Sequence, residues 1–361
     1  MRLLVWQWGR RGAGPRFGIE LARGLSQVAD TSCVLSLATG AEILRADDPP
    51  AVALPVRTYS GLPSFALRAA LAPFSVGRLA ARLRALQLDG ALCAMPAPLD
   101  FLMRAALHRA GLPYLVVVHD ADAHPGDGLP LQMTLQHRLV QGAAGLVALS
   151  DHIAVRLAEQ GLLRDRPLLR ASHPPFAFGP TPLPPRAHGG RLRVLLFGRL
   201  LPYKGLDLFA DGLAVLGPRD DMEIRVVGHG PESPVLDQLR RHPGVTVENR
   251  WVPEAELGAL LGWADVLVLS HREASQSGVA AAAIAARRWV VATRVGGLTE
   301  QLSGEPMAVL CDAVPAGIAA GLRRVLEDPP RADPHGPERT TWQEAAGKLA
   351  AELREVLLPR P

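Results

Sequence analysis

Short apolar runs, each stopped by glycine or a polar turn, alternate along this chain with stretches whose apolar residues recur at helical spacing. The opening run, residues 2–8, predicts a buried strand that breaks into Gly9-Arg10-Arg11-Gly12-Ala13-Gly14-Pro15, and a helix is expected over residues 17–27. Residues 33–37 and 52–56 read as further short strands. Residues 63–87 carry leucine, alanine and phenylalanine at helical spacing, with a break near Pro73. The alternation then becomes regular. Strands over 91–95, 113–118 and 145–149 are interleaved with helices over 99–110, 131–141 and 151–160, the last with Ser150 as its N-cap.

From 167 to 185 seven of nineteen residues are proline and periodicity is lost, which predicts a linker and a boundary near residue 180. A second series follows, with strands over 193–198, 222–227, 244–248, 265–269, 289–293 and 307–311 and a last helix over 314–326. After the breaker DPPRADPHGP a terminal amphipathic helix is expected over 338–358. Strands alternating with helices predict parallel, doubly wound sheets, here divided among residues 1–180, 181–336 and 337–361.

Composition fits this picture. A chain of 361 residues, 48% hydrophobic and 20% charged, can bury two ordinary cores. The net charge of +4 favours an anionic partner, while 5% aromatics and no basic–aromatic stripe argue against nucleic acid. Cys33, Cys93 and Cys311 are scattered, without disulfide or metal spacing, so a reducing, cytoplasmic setting is expected. Arg2 leads straight into a short apolar run, so no signal peptide is read. No apolar run approaches the roughly 20 residues that span a bilayer.

Candidate chemistry concentrates in two stretches. Residues 194–212, VLLFGRLLPYKGLDLFADG, read as strand, Gly198, Arg199, loop, Lys204 and a helix start, the layout of an anion site at the end of a parallel strand. Lys204 and Lys348 are the only lysines among 39 basic residues, so a compact charge is specified there. A solvated charge pair beside a loop is the other reading of the same residues. Residues 264–300 repeat the pattern, and Ser277-Gly278-Val279 open a helix whose N-terminus offers a second anion site. In the first half, the loop holding Gly12 and Gly14 lets backbone approach a ligand or simply makes a tight turn. His119 follows a strand end, where it would position hydroxyls, assist proton movement near neutral pH, or sit satisfied in the core. Asp120-Ala121-Asp122 spells a D-x-D, discounted as a metal site because it is remote from the cations. Residues 63–87 hold Arg68, Arg78, Arg82 and Arg84 and no acid, which suits either an anionic membrane interface or an ordinary packed helix.

Taken together, Gly198-Arg199, Lys204-Gly205, Gly228-His229-Gly230, Val252-Pro253-Glu254, Ala264-Asp265, Glu273 and Val295-Gly296-Gly297 resemble the donor-binding domain of retaining GT-B glycosyltransferases of family 4. His119-Asp120 and Leu149-Ser150 extend the resemblance into the amino half, and His124-Pro125-Gly126 looks like an acceptor-side loop. The resemblance implies two Rossmann-like domains facing a cleft, the first binding acceptor and the second donor, with the terminal helix crossing back to the first. It implies a UDP- or GDP-linked hexose donor, a glycan or lipid-linked acceptor, retention, and no metal or other cofactor. His119, Arg199, Lys204 and Glu273 would be catalytic, with Glu273 accepting from the sugar hydroxyls. Gly12, Gly14, Gly198, Gly230, Val252, Gln276, Ser277, Gly278 and Val279 would bind donor. The family's second glutamate, eight positions after the first, is Ala281 here, so Gln276 or a backbone group would take over ribose recognition. An epimerase of the same fold and a binding protein without turnover are the competing expectations.

Overall fold

The structure is a computed structural model that describes residues 1–46, 48–122, 130–330 and 340–358. The expected loop His124-Pro125-Gly126 and the expected start of the terminal helix at 338 therefore lie outside the described residues. The chain forms two compact units, one from residues 1–121, 130–174 and 340–358 and the other from 175–330.

In the first unit six strands, β1 (Arg2–Gln7), β2 (Ser32–Leu37), β3 (Gly90–Cys93), β4 (Tyr114–Val118), β5 (Gly145–Ala148) and β6 (Leu168–Arg170), pair in the order β2-β1-β3-β4-β5-β6. All of these pairings are parallel. β3, β4 and β5 are buried at every position, as a parallel sheet covered on both faces requires. The covering helices are α1 (Ala13–Ser26), α2 (Leu62–Ala70), α3 (Ala72–Ala85), α4 (Asp100–Ala110), α5 (Pro130–Gln141) and α6 (Asp151–Glu159). The terminal helix, Trp342–Leu357, packs on α1 and β6, with Leu349, Ala350 and Leu353 buried in the same core. Thr341 and Glu344 form its capping box.

Three local expectations change, and the expected break near Pro73 is present. α1 starts at Ala13 rather than residue 17, because Gly12 at φ 80° caps it and Pro15 is tolerated in a first turn. Residues 52–56 run beside β2, with Leu54 and Val56 donating to Leu35 and Leu37, yet form only an isolated bridge, and the Leu54 carbonyl accepts from the Ser36 hydroxyl. The proline-rich stretch contains an unforeseen strand, β6, whose three residues are too few to show a period. Residues 62–85 form two helices, and α2 buries none of its residues. Leu62, Leu67, Leu71 and Phe74 lie exposed on this segment, at 71%, 58%, 40% and 71% of their surface.

The second unit repeats the design with β7 (Leu192–Arg199), β8 (Met222–His229), β9 (Val245–Asn249), β10 (Val266–Leu269), β11 (Trp289–Thr293) and β12 (Ala308–Cys311). Their order is β12-β11-β10-β7-β8-β9, again parallel. α7 (Leu206–Leu216), α8 (Pro234–Arg241), α9 (Glu254–Trp263), α10 (Gly278–Ala285), α11 (Gly296–Leu302) and α12 (Pro315–Glu327) surround the sheet, with one apolar cluster on each face. In each sheet the order reverses at one place, between β1 and β3 and between β7 and β10, and such a reversal opens a crevice at the carboxyl ends of the strands.

Candidate functional site

The crevice of the second unit is built by glycine. Gly198 ends β7 at φ 126°, and a Cβ on its pairing partner Gly228 would stand 1.7 Å from the Gly198 carbonyl oxygen. Gly205 takes φ 64°, and a Cβ there would meet the Ser270 carbonyl oxygen at 1.9 Å. The chain can therefore fold a tight turn, Pro202–Lys204, directly against the residues that follow β10, and α7 begins at that point.

The turn gathers the two expected cations on one buried ring. Arg199 Nη2 donates to Tyr203 Oη at 2.7 Å, with its guanidinium carbon 5.6 Å from the ring centroid. Lys204 Nζ stands 5.0 Å from the same centroid and donates to His271 Nε2 at 2.8 Å. Around them Ser270 Oγ donates to Lys204 O, Arg272 N donates to Tyr203 O, and the Arg272 guanidinium pairs with Asp207. Glu273 is exposed, between the Arg272 anchor and Ala274, whose carbonyl accepts from Gly297 N.

α10 supplies the second helix start. Ser277 caps it by accepting from Ala280 N, and the Gln301 amide holds both the N–H and the C=O of Ser277, at 2.9 and 3.0 Å. Gly278 and Val279 form the first turn, and Gln276 stands half-buried just before it. Ala281 is 1% exposed, so a glutamate there would bury its charge among the alanines of α10. Gly230 lies beyond β8, its N–H and C=O both held by the Asn249 amide at 3.1 Å. Val252 is buried ahead of α9.

The remaining candidates belong to the first unit. His119 follows β4 and is buried, with Nε2 2.8 Å from Ala94 O and its ring 4.6 Å edge-on from Phe17. Burial lowers its pKa, against the opposing pull of the Ala94 carbonyl and Asp120. Nearby His173 is pushed down to about 4, by burial first and then by His119. Gly12 supplies the positive φ that starts α1. Gly14 has a more local cause: a Cβ would meet Gln7 Nε2 at 2.7 Å, and one on Gly9 would meet it at 2.5 Å. These glycines make room for the buried Gln7 amide.

Tyr203 lies between the two cations in sequence, which is a signal for it, whereas His271 is 67 residues from Lys204 and has none. The two gripping amides, Asn249 and Gln301, lie 19 and 24 residues from the backbone they hold, a spacing with no local signature.

Residues 191–328 match the family described as Glycosyl transferases group 1. No curated protein matches the chain. Solved structures match nearly its whole length. HepE of Anabaena, in complex with UDP and glucose, is 16% identical with a TM-score of 0.69, over 98% of this chain and 95% of that one. Sucrose-phosphate synthase of Thermosynechococcus elongatus is 15% identical at 0.64, over 99% and 94%. UDP-GlcNAc 2-epimerase of Neisseria meningitidis, bound to UDP-GlcNAc, is 11% identical at 0.59, over 98% and 99%. At such identities the likeness is one of fold. Residues 191–328 thus carry a group 1 glycosyltransferase domain, within a chain that has the two-domain α/β fold of GT-B glycosyltransferases.

Proposed function

We propose that the chain moves a hexose from a UDP- or GDP-linked donor to a glycan or lipid-linked acceptor, with retention and without a metal ion. The observation that carries this reading is the pair of cations gathered on Tyr203 beside the start of α7. When the bond from the anomeric carbon to the diphosphate breaks, negative charge builds on the leaving oxygen. Fixed cations and N–H donors there stabilise the transition state more than the ground state. Arg199 can fork onto two oxygens, Lys204 adds a point charge, and Ser277-Gly278-Val279 present backbone N–H groups. Glu273 would accept from sugar hydroxyls, while Gly198, Gly230, Val252 and Gln276 shape the donor site. The structure of HepE with UDP and glucose supports the choice of donor class. Retention would follow from attack on the face the diphosphate leaves, with a phosphate oxygen taking the acceptor proton. His119 and the loop of Gly12 and Gly14 would serve acceptor or donor hydroxyls from the first unit.

A thermal-shift panel of UDP, GDP, ADP and TDP tests the donor, because a ligand of the native state raises its midpoint. Chromatography of the matching nucleotide sugar then separates transfer, which releases the diphosphate, from epimerisation, which does not. Activity lost to EDTA and restored by Mn²⁺ would overturn metal independence. Binding without any release would favour a non-catalytic protein, the reading that Ala281 supports.

For the acceptor, the exposed Leu62, Leu67, Leu71 and Phe74, on a segment with four arginines and no acid, favour a cytoplasmic enzyme at the inner membrane face. Among the described residues no helix is long and apolar enough to cross a membrane, so contact would be peripheral. Each arginine near an anionic surface contributes about 1 kcal/mol. Reversing Arg78, Arg82 and Arg84 to glutamate should abolish sedimentation with anionic vesicles. Equal recovery with neutral and anionic lipid in the parent protein would point to an acceptor free in water.

A further inference from the structure

We infer that His271 is a positioning residue that aims the Lys204 ammonium at the donor diphosphate, an inference that rests on the donor site proposed above. An ammonium has only donors to give, so a contact of 2.8 Å with Nε2 requires that nitrogen to offer its lone pair. His271 therefore holds Lys204 through a neutral acceptor, which fixes its direction without cancelling its charge. A carboxylate at the same place would do the first and undo the second.

The geometry makes this a built arrangement. His271 is 3% exposed and directly follows Ser270, whose Oγ donates to the carbonyl of Lys204 itself. The main chain of His271 is anchored in turn, its carbonyl accepting from the buried Thr293 Oγ1 at 2.6 Å. Backbone and side chain of Lys204 are thus held by two consecutive residues, which are tied to the end of β11. On the other side the Tyr203 ring limits where the ammonium can move. A lysine stem with several free rotors would otherwise spread its charge over a wide volume, and ordering it in advance removes that cost from ligand binding.

The test is a double-mutant cycle read by calorimetric binding of UDP, GDP, ADP and TDP, with native circular dichroism as a check on folding. Lys204→Met should weaken the best of the four by roughly tenfold or more. His271→Leu should weaken it by a similar factor, and the double variant should lose no more than Lys204→Met alone. His271→Gln, whose amide oxygen can accept from the ammonium, should recover binding to within about threefold of the parent. Additive losses, or a His271→Gln variant as weak as His271→Leu, would overturn the positioning role and leave the donor site standing. If Lys204→Met changes nothing, or the parent binds none of the four, the donor reading itself falls and this inference falls with it.

Discussion

At the reversal between β7 and β10 the second unit gathers charge: Arg199 and Lys204 on one ring, with the starts of α7 and α10 close to the same strand ends. At the matching reversal between β1 and β3 the Arg10-Arg11 loop follows β1, and the first unit buries polar groups whose charged forms burial disfavours. Gln7 fills the space its glycines leave, and burial disfavours the charged form of His119. Asp100, 2% exposed and accepting from Ala97 N, is pushed up to about 7 by burial. The topology supplies the same crevice twice, and the side chains decide what each can hold.

The largest effect that should separate the two regions is steric. In Gly228→Ala the new methyl meets the Gly198 carbonyl, a backbone atom that cannot yield, and we expect a loss of at least about 3 kcal/mol in urea unfolding. Gly14→Ala meets the tip of the Gln7 side chain, which can turn, and should cost only about 1 kcal/mol. Equal losses would mean that both crevices are equally rigid.

Next comes chemistry. Arg199→Ala and Lys204→Ala should each lower turnover by roughly a hundredfold with the fold intact, as initial rates would show. His119→Gln keeps an N–H for Ala94 O and should cost about tenfold at most. Near-normal rates in both cation variants would move the donor site elsewhere. A His119 variant as damaged as they are would erase the contrast between the two crevices.

The last effect is a slope with pH rather than a single loss. Asp100 has a raised pKa, so its stabilising contribution is complete below the unfolded value of about 3.9 and is lost as pH rises through about 7. His173 has a lowered pKa, so its contribution is complete above about 6.5 and is lost as pH falls through about 4. Between pH 4 and 6.5 the two slopes oppose each other. Asp100→Asn should remove one of them, leaving stability that climbs with pH at up to about 1.4 kcal/mol per unit. Urea midpoints that vary with pH identically in both proteins would show that Asp100 is ionised in the native state.

The fold was largely legible because the parallel strands are buried on both faces and so read as unbroken apolar runs such as LLVW and VLVL. β6 escaped because three residues beside prolines carry no period. The cations of the second unit's crevice were legible as a motif, since the chain brings Arg199 and Lys204 together locally. Their partner His271 was not, because it arrives from the end of another strand. Nor could spacing tell that Gly14 serves Gln7, a packing requirement that looks from the sequence like a ligand loop.

The terminal helix has a consequence for how the protein is made. Residues 175–330 make up nearly all of the second unit in one continuous stretch, which can fold as soon as it leaves the ribosome. The first unit cannot, although its strands are synthesised earlier. Gly24 has no room for a Cβ against the Trp342 carbonyl at 2.7 Å, Glu352 receives the N–H of Arg170, and Arg354 bonds Thr31. Those contacts span up to 323 residues of chain and carry a large loop-closure entropy. During translation the half made first therefore waits with an apolar flank uncovered, and a nascent chain stalled before residue 340 should be the species that chaperones hold.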